Sequence, residues 1–540
     1  MYKDSTLAYL FIYGLDLYGL SLIINNMNKL TESYKSICLL LVLTLHLPTL
    51  AQSLPRFSYE KINEHIVSLR DLRARKQTLA DKRSHEVLLL NLRVVENYGQ
   101  SLAHYILDSF SKGTIQPYTL NLLHEFFKTK VVIHERIVEL KSGILENEVL
   151  KALQLESFRK IHDLYFHKKS LRTILNDQFK IESLELDEWY SLRDRVLKER
   201  YISNREDFLK VKAFPIKESQ RQKSKLLNTW SASGLYIALE NKVNWAPLAN
   251  TGLFWRNIGD GVLTGVGKIA IGASSVFGNA VGNISWREGY LKNNTQLLSM
   301  LNETLKPFDL LMEKKAYKFT DITIPGNFGH VGVYMGSEEQ LRELGLWELP
   351  EMKPFRRPIK EGKRIFQVRR WGLEFDSLEN FTNLDEIAVL RVNGFLKRGK
   401  KNLSLTIEYL GDQINKNYDF GFDAMTGETV TCTEIFAFSY GPIRWPSDEI
   451  LGRTTISPDN VAELAFYRGS PLKTIFYVTG DEKGLHHRSE QELGEALQYK
   501  YINGLYKKFS QKCRRDMVRS RRSGTRFKYI CDDTLTVKVY

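Results

Sequence analysis

The chain has 540 residues, of which 43% are hydrophobic and 11% aromatic, enough to build cores for roughly two to four domains. This composition excludes a wholly disordered protein, and a count of 4 cysteines excludes a disulfide-framed mini-domain. The 77 Lys and Arg residues exceed the 63 Asp and Glu residues and give a net charge of +14. Such an excess favours anionic partners, namely phospholipid headgroups, acidic cell-wall polymers or nucleic acid.

Residues 1–51 have the pattern of a secretory signal peptide. The apolar run 37–47 has the length of a signal-peptide core and is too short to span a bilayer. Small residues precede a predicted cleavage site after Ala51, and a compact basic segment indicates a start at Met27. An uncleaved signal anchor is the alternative, which Asp16 in the upstream apolar stretch disfavours. We therefore expect an exported protein in the periplasm or envelope of a bacterium, either free or associated with the membrane.

Residues 56–230 are predicted to form an all-α helical bundle. The segment is rich in Leu, Lys, Glu and Arg, and Leu88, Leu92 and Val95 recur at the spacing of one helix face. It contains no catalytic spacing, so we interpret it as a scaffold or as a module that binds a protein partner.

Residues 245–300 form a Gly-rich apolar connection. Ala270, Ser274 and Gly278 repeat every four residues, a spacing that lets two helix backbones approach closely, as in membranes. Two interpretations stay open: contact with a membrane, or packing of the connection on the next domain.

The pattern changes to strands and helices over residues 305–480, which predicts an α+β domain. Strands are expected at 310–313, 330–334, 364–368 and 387–392, and helices at 400–410 and from Cys432 onward.

A basic C-terminal tail follows over residues 484–540. In the exported setting its Lys and Arg residues favour an anionic membrane surface or wall polymer, and make nucleic acid a less suitable partner. Cys513 and Cys531 could form a disulfide in an oxidising compartment.

The chemistry centres on His330, in the segment PGNFGHVGVYMG, and Cys432, in TCTEIF. The first turn of a helix lowers the pKa of a thiol because backbone N–H groups stabilise the thiolate. A histidine on a neighbouring strand can then carry the proton. From the residues alone, a packed and inert cysteine remains the alternative.

These two segments, with YDFGFD between them, resemble the YaeF/YiiX-type permuted papain-like amidases, relatives of the NlpC-type cell-wall hydrolases. In that family the histidine strand precedes the cysteine helix, as it does here. The resemblance extends from about residue 307 to 440, roughly a quarter of the chain. It implies a permuted papain-like (NlpC-type) domain in which Cys432 is the nucleophile and His330 the general base.

The resemblance leaves the third catalytic residue open. The family has a glutamate on the strand after the histidine strand, where this chain has Gln367, and Glu374 is a nearby alternative. A glutamine can hold the imidazole but adds no charge. Tyr418 and Asp423 match the family's loop before the nucleophile and are expected to support the site or to bind substrate.

The resulting hypothesis is an exported thiol hydrolase that cleaves amide or ester bonds in cell-wall peptides or acylated lipids. One alternative is a cysteine acyltransferase of the lecithin retinol acyltransferase-like type, which Thr431 disfavours because that group has asparagine before the cysteine. A catalytically silent envelope interaction protein is another. We expect no cofactor, and His486 and His487 lack the partners of a metal site.

Overall fold

The computed structural model describes residues 57–74, 82–112, 115–141, 143–168, 171, 174, 224–240, 287–317, 326–369, 371–419, 429–450, 453–520 and 524–540. The predicted signal peptide, Asp423 and most of the predicted Gly-rich connection lie outside these ranges. The chain divides into two compact units, the first comprising Met1–Lys112, Leu122–Asn176 and Glu182–Ile258, and the second Gly113–Asn121, Asp177–Ile181 and Gly259–Tyr540.

The described N-terminal part is helical. Its helices are α1 (Ile62–Ala74), α2 (Lys82–Lys112), α3 (Pro117–Val138), α4 (Leu145–His167), α5 (Lys225–Ser231) and α6 (Gly234–Glu240). Leu88, Leu92 and Val95 are buried on one face of α2, as their spacing predicts, and α2 packs against α4. An antiparallel bundle stays a prediction. In the described ranges, no helix has both the length and the apolarity needed to cross a bilayer.

The second unit mixes helices and strands, so the α+β class is confirmed. Its strands are β1 (Asp309–Lys314), β2 (His330–Tyr334), β3 (Ile365–Arg369), β4 (Gly372–Asp376), β5 (Glu386–Val392), β6 (Asn417–Tyr418), β7 (Thr429–Val430), β8 (Asp448–Ile450), β9 (Arg453–Thr455), β10 (Leu472–Asp481), β11 (Gly484–Arg488), β12 (Tyr499–Ile502), β13 (Leu505–Ser520) and β14 (Gly524–Thr536). Its helices are α7 (Thr295–Thr304), α8 (Glu338–Glu343), α9 (Lys353–Lys360), α10 (Leu378–Phe381), α11 (Lys400–Gly411), α12 (Glu434–Ser439), α13 (Pro458–Glu463) and α14 (Glu490–Ala496). Short 3-10 helices lie at Tyr59–Lys61, Pro350–Met352, Phe395–Lys397 and Leu464–Phe466.

A seven-stranded antiparallel sheet organises this unit, in the order β11-β10-β5-β1-β2-β3-β4. Successive side chains of β1 belong in alternation to two separate apolar clusters. Leu310 and Met312 belong to a large cluster with α11 and α12, and Leu311 belongs to a smaller one with α7. Because successive side chains of a strand point to opposite faces, both faces of the sheet are covered.

The C-terminal segment 484–540 is folded in the described residues. It supplies β11 to the main sheet, then α14, and then a three-stranded sheet in the order β12-β13-β14. Strands β13 and β14 form a long hairpin in which Cys513 and Cys531 are paired residues. A disulfide joins them.

Candidate active site

His330 opens β2, between β1 and β3, and is only 8% exposed. Its imidazole Nε2 lies 2.9 Å from Oε1 of Gln367 on the buried strand β3. The Gln367 amide nitrogen donates to Glu374 Oε1 at 3.0 Å and to Asp376 Oδ2 at 3.2 Å. Since carboxylates accept hydrogen bonds, the amide oxygen must face the histidine. His330 Nε2 then carries the proton, which leaves Nδ1 as the basic nitrogen.

The structure thus separates the two candidates for the third residue. Gln367 contacts His330, whereas Glu374 lies one strand further out, paired with Gln367 in the β3–β4 register. Glu374 reaches the imidazole only through the amide. The register that brings these side chains together is a long-range property that the local sequence does not contain.

Cys432 is 8% exposed and lies in the tight turn before α12. The Thr431 backbone N–H donates to Glu434 Oε2 at 2.8 Å, and Thr433 Oγ1 donates to the Ile456 carbonyl at 2.6 Å. These bonds hold the turn on both sides of the cysteine. The helix begins at Glu434 with Thr433 as its N-cap, so Cys432 precedes the helix that was expected to start there.

The cysteine turn contacts the histidine strand. The backbone N–H of Val331, the residue after His330, lies beside the Cys432 sulfur and favours its ionised form. The two residues that the sequence singled out are therefore brought to one place, although 102 positions separate them in the chain.

Burial keeps this pair neutral at rest. It raises the pKa of the Cys432 thiol to about 12. It also lowers the pKa of the His330 imidazole to about 3, a direction that the positive charge of Arg369 reinforces. A helix N-terminus alone would lower the thiol pKa, but here burial disfavours the thiolate more strongly and raises it. At neutral pH the site therefore holds a neutral thiol and a neutral imidazole.

Three charged residues near His330 and Cys432 were missed by sequence reasoning. Arg369 donates to both carboxylate oxygens of Glu313, at 2.9 and 2.8 Å, and Lys315 lies 3.1 Å from the same carboxylate. Glu313 is directly opposite His330 in the β1–β2 register. Although burial opposes its ionisation, the charges of Arg369 and Lys315 hold the pKa of Glu313 well below its usual range. Only the three-strand register could have revealed this ion pair.

Tyr418 lies close to Cys432 in the fold. It pairs with Val430 in the parallel β6–β7 ladder, two residues before Cys432. Burial, and then the charge that Cys432 carries when ionised, raise the pKa of the Tyr418 hydroxyl well above its usual range. Asp423, its predicted companion, lies outside the described residues.

No metal-binding constellation occurs in the part of the chain that the structure describes. His486 Nε2 lies 2.9 Å from Asp481 Oδ1 at an exposed position. This contact is an ordinary surface pair between a histidine and a carboxylate.

Comparison with known proteins gives a single family. Neither a curated protein nor a solved structure matches the chain. One family model does match, that of the permuted papain-like amidase enzymes (YaeF/YiiX, C92 family), over residues 304–493. The match includes His330, Gln367, Tyr418 and Cys432 and extends past the end of the predicted resemblance. The resemblance expected from the motifs is thereby confirmed, and residues 304–493 match a family of papain-like cysteine amidases and related hydrolases.

Proposed function

We propose that this protein is an exported thiol hydrolase that cleaves amide or ester bonds in cell-wall peptides or acylated lipids. Cys432 is the nucleophile, His330 the general base and acid, and Gln367 the residue that orients the imidazole. The observation that carries the proposal is the hydrogen bond from His330 to Gln367. His330 lies on β2, and the next residue of that strand, Val331, contacts the Cys432 sulfur.

The reaction follows from the tautomer. His330 Nδ1 accepts the thiol proton while the sulfur adds to the substrate carbonyl carbon. Backbone N–H groups at the start of α12 stabilise the resulting oxyanion. The imidazolium protonates the leaving nitrogen or oxygen as its bond to carbon breaks, which leaves a thioester on Cys432. Water, deprotonated by His330, then hydrolyses the thioester, releases the acid and restores the thiol.

The setting of this chemistry is part of the proposal. The leader pattern of residues 1–51 supports export, and the Cys513–Cys531 disulfide suits an oxidising compartment. The net charge of +14 supports an anionic membrane surface or wall polymer as partner. The packing of α2 on α4 supports an N-terminal bundle able to bind a protein partner.

The test compares wild type with Cys432→Ala on wall peptides and N-acyl lipids, and by mass spectrometry of envelope extracts. Wild type should release new carboxylic acid products, and Cys432→Ala should release none. The matched control is the double variant Cys513→Ser/Cys531→Ser, which changes cysteines outside the site and should retain turnover. Equal turnover by wild type and Cys432→Ala would remove Cys432 from the mechanism.

A further inference from the structure

We propose that Glu374 and Asp376 act together through the Gln367 amide as positioning residues for His330, and that they set the acid limit of the reaction. This inference rests on the proposed function, and it gives the missing family carboxylate a replacement one strand further from the histidine.

The hydrogen bonds fix the amide in one orientation. Gln367 is fully buried, and its nitrogen donates to both carboxylates while its oxygen faces His330 Nε2. Turning the amide over would direct its oxygen at two carboxylates, where no hydrogen bond could form. The pair on β4 therefore determines which atom the histidine meets.

The two carboxylates are placed for this task by the strand. Glu374 and Asp376 are two residues apart on β4, so their side chains share one face of the sheet. Asp376 uses its other oxygen, Oδ1, to accept the Ser377 backbone N–H at 2.9 Å. Its free rotation is thereby restricted, and Oδ2 stays directed at the amide.

The two carboxylates act on the imidazole by polarising the Gln367 amide between them. Two anionic acceptors on the amide nitrogen draw its protons and increase the negative charge on its oxygen. That oxygen faces the Nε2–H of His330, which becomes an imidazolium when the thiol proton is transferred. A neutral glutamine is thus converted into a stronger acceptor at the step that needs it.

The acid limit is the pH below which the reaction rate falls. It is set by the charged groups around Glu374 and Asp376. Arg369 Nε on β3 lies 3.7 Å from Glu374 Oε1, Lys315 follows β1, and both charges favour the ionised carboxylate. Burial outweighs them and, together with the like charge of Asp376, raises the pKa of Glu374. Protonation of Glu374 as the pH falls removes an anionic acceptor, so the rate should fall at a higher pH than an ordinary carboxylate would give.

The experiment measures acylation of Cys432 by p-nitrophenyl acetate, as the pH dependence of the burst rate, for wild type and Cys432→Ala. The test variants are Glu374→Gln, Asp376→Asn and their double variant. We expect the double variant to lower the burst rate by about 10- to 100-fold. We expect Asp376→Asn alone to move the acid limit to lower pH, because Glu374 then loses its like-charged neighbour.

An exchange variant distinguishes the effect of the Glu374 charge from the effect of its packing. Gln367→Glu/Glu374→Gln exchanges the amide and the carboxylate, and it should restore most of the rate that Glu374→Gln loses. The ¹⁵N NMR spectrum of His330 can be measured without substrate. It should show the Nε2–H tautomer in wild type and a mixture of tautomers in Glu374→Gln/Asp376→Asn.

The outcomes distinguish a failure of the proposed function from a failure of this inference. A burst that survives Cys432→Ala contradicts the proposed function. A burst that depends on Cys432, with an acid limit and a His330 tautomer that the carboxylate variants leave unchanged, overturns this inference alone. Loss of rate with no rescue by the exchange variant does the same, because it shows a packing role only.

Discussion

The Glu313–Arg369 pair is a doubly hydrogen-bonded ion pair near His330 and Cys432. Both carboxylate oxygens are bonded, and Glu313 is 2% exposed. The two charges have opposite effects on their neighbours: Arg369 lowers the pKa of His330 and that of Cys432, whereas Glu313 raises both. The pair therefore limits the net field at the site while holding β1 to β3 across the histidine strand.

Glu313→Gln should destabilise the fold and disturb the site at once. It removes the negative charge that the partly buried Arg369 contacts through two hydrogen bonds, at a cost of about 3 kcal/mol in the free energy of unfolding, and it lowers the pKa of the Cys432 thiol. Denaturant unfolding measures the first effect, and the pH dependence of iodoacetamide labelling measures the second. Glu361→Gln is the matched control, because it breaks an exposed pair with Arg357 and should change neither quantity. An unfolding free energy equal to that of wild type would contradict this role.

The pH dependence of thiol labelling tests the neutral resting state. Because burial raises the pKa of Cys432 to about 12, the thiolate fraction is small at neutral pH and grows as the pH rises. Labelling of wild type by iodoacetamide should therefore be slow at pH 7 and should still be increasing at pH 9. A labelling rate that is already constant between pH 6 and pH 8 would show a preformed ion pair, and would contradict the neutral state.

At the scale of elements, the loop before the histidine strand is held by a helix. Asp459 of α13 accepts the backbone N–H groups of Asn327 at 2.7 Å and Phe328 at 2.8 Å. Gly326 has a φ of +130°, and a Cβ there would collide with the Asp459 carboxylate. The carboxylate therefore fixes the path of the chain into β2 and, with it, the position of His330.

Asp459→Asn should loosen this entry to β2. The amide can accept one of the two N–H groups but directs its NH₂ at the other, so about 1–3 kcal/mol of local stability should be lost. Hydrogen exchange at Asn327 and Phe328 should accelerate, and Cys432 acylation should slow. Asp481→Asn is the control, because Asp481 also accepts a backbone N–H, that of Lys483, but at an exposed turn. Unchanged exchange at Asn327 and Phe328 would contradict the clamp.

The sequence predicted elements better than it predicted the contacts between them. The expected strand 330–334 is β2 to the residue, and the expected helix 400–410 is α11 within one residue, because both have clear local patterns. Strand β4 was not predicted, because the alternation of Leu373 and Phe375 with Glu374 and Asp376 extends over a segment of only 5 residues. Asp376 was therefore not considered, although Cys432 and His330 were. The thiol pKa was predicted in the wrong direction because burial depends on the whole fold.

At the scale of the molecule, the disulfide of the C-terminal hairpin bears on the cellular compartment of the protein. Cys513 and Cys531 pair across β13 and β14, and the base of this hairpin is anchored by Lys508, whose ammonium donates to Glu463 at 3.0 Å. Cys432 is the free cysteine of the described residues. The remaining cysteine, Cys38, lies in the predicted leader.

A count of thiols therefore tests export and leader removal together. Protein purified from an exporting cell and denatured without reductant should titrate one thiol, that of Cys432, and three after reduction, since cleavage after Ala51 removes Cys38. Intact mass should agree with a chain that begins at residue 52. Two free thiols before reduction would indicate a retained leader, three would show a reduced hairpin, and four would show both. Because the disulfide closes a loop with a sequence separation of 18 residues, Cys513→Ser/Cys531→Ser should cost about 3 kcal/mol of stability while the acylation of Cys432 continues at the wild-type rate.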